Sequence, residues 1–80
     1  MTTNDFANKL NMNLTGIEIK MRREGKINKL LIRRGQKKIT IYIEPDKITM
    51  KNKQGKIEKL KYDFQEVLRT IKRELNINAL

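Results

Sequence analysis

Lys20, Arg22, Arg23, Lys29, Arg33, Arg34, Lys37, Lys38, Lys51 and Lys53 are the side chains with most to offer chemically, and what they offer is anion binding. Lysine supplies a point charge for a phosphate, and arginine adds a planar fork able to hold two oxygens at once. Tyr42 contributes a ring on which a base can stack, and Thr40 a hydroxyl. The cations are concentrated. From Lys20 to Lys61 there are 15 basic residues against four acids, a local charge of +11, while the rest of the chain sums to −1. A field of that kind attracts polyanions, nucleic acid before anionic lipid.

Catalysis has little to work with. The chain has no histidine and no cysteine, which removes the commonest general base and the commonest thiol nucleophile. Glu44 and Asp46 are the closest acids of the basic stretch, but they straddle Pro45, where turn chemistry accounts for Asp46. Each glycine stands alone, so no phosphate loop is read. No enzyme activity, cofactor or metal is expected. The lack of cysteine also excludes a disulfide framework and is compatible with a cytoplasmic address. No basic region followed by an apolar stretch opens the sequence, and no window nears the roughly 18 apolar residues of a membrane span. A chain of 80 residues reads as one domain, spanning 1–80. At this size about 60% of the unfolded surface is buried, which argues against a deep catalytic cleft beside a core.

The elements that must position the cations follow from periodicity. Residues 3–10 suggest a short helix, capped by Thr3 or Asn4 with Phe6 and Leu10 on one face, broken by Asn11, Asn13 and Gly16. A period of two then sets in. Ile17, Ile19 and Met21 alternate with charged residues, and further strands run over 27–34, 38–44 and 48–53, with a weaker one over 56–61. Turns fall at Gly25, Gly35, Pro45-Asp46 and Gly55. The period returns to 3.6 after Asp63, where Asp63-Phe64-Gln65-Glu66 has capping-box spacing. Phe64, Val67, Leu68, Ile71 and Leu75 form one apolar stripe there.

The fold expected is therefore α+β: an antiparallel meander of four to five strands packed on one C-terminal helix, with a short N-terminal helix. Alternation sends Ile17, Ile19, Met21, Leu30, Ile32, Ile39, Ile41, Ile43, Ile48 and Met50 inward, towards a C-terminal helix that is their only cover. The opposite face carries Lys20, Arg22, Lys29, Arg33, Thr40, Tyr42, Lys47, Thr49, Lys51 and Lys53, with Leu31 exposed among them. Arg22, Arg23, Arg33 and Arg34, beside the first turns, are the candidates for base or groove contacts. DNA is the expected partner, RNA the alternative, with phosphate contacts dominant. A homodimer is expected because Leu31, Leu60, Ile77 and Leu80 look surplus to a small core.

Strands, a basic outer face and a terminal helix over Ile17 to Leu75 make the chain similar to the Whirly type of single-strand binders. That resemblance implies binding on the outer sheet and pairing through the helices. Residues 3–24 also resemble a helix-turn-helix: Phe6-Ala7, Leu10-Asn11-Met12 and Ile17 fall where that motif sets its apolar residues and turn. That likeness implies a recognition helix over Thr15 to Glu24, with the later hairpins as a wing. The strict alternation of Ile17, Ile19 and Met21 favours the sheet. A module docking on an acidic protein partner is the alternative of another class. A peripheral membrane role fits less well, since the cations lie on strands.

Overall fold

The computed structural model describes residues 3–77. In chain order these form α1 (Thr3–Asn13), β1 (Glu18–Glu24), β2 (Ile27–Arg34), β3 (Lys37–Ile43), β4 (Ile48–Asn52), β5 (Ile57–Leu60) and α2 (Phe64–Glu74). The strands make one antiparallel sheet in the order β1-β2-β3-β4-β5, each paired with its neighbour in sequence. The architecture is the α+β meander expected. Gly25 and Gly35 hold φ at +61° at the first of two central turn residues. A II′ hairpin asks for that backbone, and only glycine adopts it without strain.

Both helices lie on one side of the sheet. From the strands, Leu30, Ile32, Ile39, Ile41, Ile43, Ile48, Met50 and Leu60 enter the core. Val67, Leu68, Ile71 and Leu75 meet them from α2 and its cap, as their spacing predicted. The expectation of a single covering helix is corrected. Phe6, Ala7 and Leu10 of α1 are buried in the same core, as is Leu14 just beyond it. Phe6 meets the Phe64 ring edge-on at 5.2 Å, which sets the first turns of the two helices side by side. Asn11 and Asn13 do not break α1, because Leu10 and Leu14 anchor a further turn on the sheet. The helix-turn-helix alternative fails on the same stretch: residues 18–24 are strand, so there is no recognition helix over Thr15 to Glu24.

The ends of α2 explain several polar residues. Asp63 caps its start, accepting from the Gln65 amide at 3.3 Å. The reciprocal half of a capping box is absent, since Glu66 reaches Arg69 instead and the Asp63 amide donates to the Lys61 carbonyl. At the other end Asn76 has φ +55°, with Asn76 N–H donating to Arg73 and Ile77 N–H to Lys72. Those two bonds make a Schellman stop, with asparagine in the place usually given to glycine. Arg73 bonds Glu58 of β5 at 2.7 Å, and that hydrogen bond holds its guanidinium above the ordinary arginine range.

The apolar surplus that suggested a homodimer is largely consumed. Leu60 is a core residue, Ile77 packs against the core, and Leu31 is half-buried on the outer face. Leu80 lies outside the described residues.

Candidate nucleic-acid interface

With both helices on one side, the other side of the sheet is uncovered among the described residues. Register determines what it presents, because cross-strand partners share a face. One row runs across all five strands as Lys20, Leu31, Thr40, Lys51 and Ile57. A second runs as Arg22, Lys29, Tyr42, Thr49 and Lys59. A shorter third joins Glu18, Arg33 and Lys38. Within the strands this face holds seven cations (Lys20, Arg22, Lys29, Arg33, Lys38, Lys51, Lys59) and two carboxylates, Glu18 and Glu24. Neighbours along a row stand about 4.8 Å apart and alternate residues of one strand about 6.7 Å.

Some of those charges are already engaged. Arg33 bonds Glu18 at 2.8 Å and Lys29 bonds Glu24 at 3.0 Å, while Lys47, just past the β3–β4 turn, lies 3.7 Å from Glu44. Lys20, Arg22, Lys38, Lys51 and Lys59 make no ion pair among the described residues. Tyr42 is half-buried, and the Lys29 ammonium sits 5.5 Å from its ring centroid, so one side of the ring is occupied.

Of the expected site residues, Lys20, Arg22, Lys29, Arg33, Lys38, Thr40, Tyr42 and Lys51 come together here. Lys53 lies past the end of β4 and donates to the Gln36 carbonyl at 3.4 Å, bracing a turn. Arg23, Arg34 and Lys37 do not belong to this surface, because each is one residue out of phase with it. Arg23 donates to the Gly25 carbonyl in its own turn. Arg34 reaches the Leu75 and Asn76 carbonyls at 3.4 Å, where a cation complements the negative end of α2. Lys37 is paired opposite Arg34.

Comparison with protein-family models, curated proteins and solved structures finds no match for the chain.

Two features escaped the sequence reading. Lys59 completes the second row; the short β5 carries it, and only the register reveals its neighbours. The other is an open cleft of about 710 Å³ at the end of the sheet where the helices begin. Met21, Arg22, Arg23 and Lys26 line it from the first hairpin, and Phe6, Tyr62 and Phe64 from the helix side. Met21 and Tyr62 are two of the four large apolar side chains that stay exposed among the described residues, so the cleft gathers exposed apolar surface between the cations of the first hairpin and the carboxylates of Glu44 and Asp63. Among the described residues no helix is long and apolar enough to cross a membrane.

Proposed function

We propose that this chain is a non-catalytic nucleic-acid-binding domain that grips the phosphates of DNA through the outer face of its sheet. The pair of five-strand rows supports the reading: five cations, two threonines and Tyr42 share them with Leu31 and Ile57, on a surface that neither helix covers. Lys20, Arg22, Lys38, Lys51 and Lys59, having no acid partner among the described residues, are the phosphate contacts. Tyr42 and Thr40 stand in the middle of the sheet, where a strand lying across the rows would meet them. Contacts of this kind neutralise charge and carry little sequence information, so binding is tight on low salt and weakly selective. Such a protein serves as an accessory or regulatory factor in DNA transactions.

Salt titration with a labelled oligothymidylate, and with a duplex of mixed sequence, tests this. If the five cations each neutralise one phosphate, log K for the single strand falls by about 3.5 per decade of salt. Affinity that ignores salt, or none at 50 mM salt, overturns the reading.

A further inference from the structure

The row of inward residues Met21, Leu30, Ile41 and Met50 runs across four paired strands, yet its members differ sharply in cover. Leu30 and Ile41 are 0% exposed and Met50 2%, whereas Met21 is 47% exposed. The next inward row repeats the pattern, with Ile32 and Ile39 buried and Ile19 only partly so. The helices therefore cover the middle of the sheet and leave the inner side of β1 thinly covered.

β1 is also an open edge. It is seven residues long and every residue but Ile19 is exposed rather than half-buried, against four residues for β5 at the far edge. The two-residue turn makes Glu24 and Ile27 a hydrogen-bonded pair. Alternation then turns the backbone groups of Ile19, Met21 and Arg23 outward, with no strand among the described residues to receive them. The charge left unpaired along β1 and its turn is of one sign. Glu18 and Glu24 are taken by Arg33 and Lys29, and Lys20, Arg22 and Lys26 have no acid partner among the described residues.

We infer that β1 is a docking edge for an extended acidic segment of another protein, which adds to the sheet as a sixth strand. Its pattern is dictated by the edge. Residues opposite Ile19 and Met21 share the inner side and are apolar; those opposite Lys20 and Arg22 share the outer face and are acidic. Past Arg23 the same edge opens on the cleft, where Met21 and Tyr62 offer a seat for an apolar side chain. A second copy of this chain is the rival occupant. Antiparallel β1–β1 pairing with Met21 opposite Met21 sets Lys20 against Arg22, which is destabilising, whereas pairing about Ile19 sets Lys20 against Glu18, so concentration dependence separates the two occupants. The inference shares Lys20 and Arg22 with the proposed phosphate surface but does not rest on it, since the backbone edge, Met21 and Arg23 lie off that face.

The test is a titration of the isotope-labelled full chain with a synthetic peptide alternating glutamate with valine or leucine, followed by amide shifts and exchange. Saturable binding is expected, with the Ile19, Met21 and Arg23 amides slowed in exchange. A peptide alternating lysine with the same apolar residues is expected not to bind. Met21→Glu and, as a second variant that leaves the inner row intact, Arg23→Glu should each weaken the peptide about tenfold or more. Their melting curves report whether the fold is kept. Lys38→Ala and Lys51→Ala should leave the peptide unaffected while weakening an oligonucleotide. Absence of binding at millimolar peptide overturns the inference, as do shifts confined to Thr40 and Tyr42, or concentration-dependent protection of β1 without peptide. An oligonucleotide titration on the same sample keeps the two readings apart: loss of oligonucleotide binding with the peptide still bound removes only the phosphate surface.

Discussion

Arg33 and Arg34 are adjacent in the chain and work on opposite sides of the sheet. Arg33 is held by Glu18 on the outer face, and Arg34 donates to the Leu75 and Asn76 carbonyls at the cap of α2. Arg34→Ala should therefore lower stability by about 0.5–1 kcal/mol and leave oligonucleotide affinity unchanged, as denaturant melts and binding curves on one sample would report. Lys51→Ala should do the reverse. A fall in affinity for Arg34→Ala equal to that of Lys51→Ala would contradict the division of faces. Tyr42→Ala should weaken a single strand more than a duplex, by about 1 kcal/mol or somewhat more, because a stacked base needs an unpaired partner. Lys29 already shares that ring, which limits the loss. Equal losses for both nucleic acids would remove the stacking role.

Among the elements, α1 repays attention because its part in the core was not legible from its own residues. Phe6, Ala7, Leu10 and Leu14 do follow helical spacing, but Asn11 and Asn13 lie between the last two and are weak helix formers. Burial of Leu14 outweighs that preference, and no local signal announces it. Leu10 is fully buried and Met12 is 84% exposed. Leu10→Ala should cost about 2–5 kcal/mol, a large share of what a domain of this size has, while Met12→Ala should cost close to nothing. Comparable melting temperatures for the two would detach α1 from the core. The strands were legible for the opposite reason: alternation from Ile39 to Ile43 leaves no second register that keeps isoleucine from water. Alternation assigns Met21 to the inner side just as firmly, but it cannot say how far a helix reaches across. That is why the exposed edge and the cleft, both products of tertiary cover, had no sequence signature. The candidate cations were legible in type and mostly in face; Arg23, Arg34 and Lys37 were lost because each is one residue out of phase with that face, and Arg23 and Arg34 serve a turn and a helix end instead.

For the molecule as a whole the dominant electrostatic fact is 19 basic residues against nine acidic ones. Six ion-pair contacts are spread over the described surface, all with exposed or partly exposed members, and contacts of that kind contribute under about 1 kcal/mol each. Repulsion among cations borne on backbone positions about 5–7 Å apart on one sheet face is expected to outweigh them. Raising salt from 10 to 150 mM shortens the screening length from about 30 to about 8 Å. The melting temperature should then rise while oligonucleotide affinity falls. A melting temperature that drops with salt would show the pairs, not the repulsion, in control.

The order β1-β2-β3-β4-β5 has a further consequence, in time rather than in space. Because each strand bonds to the one made just before it, a hairpin can zip up as soon as its second half leaves the ribosome, without waiting for distant chain. The isoleucine side, by contrast, keeps part of its cover pending until Leu75 has been made, fifteen residues after Leu60. At ordinary synthesis rates that is a window on the order of one to three seconds. During it the nascent sheet has its cationic side finished and part of its oily side bare, and the positive charge that repels one nascent chain from another is already in place.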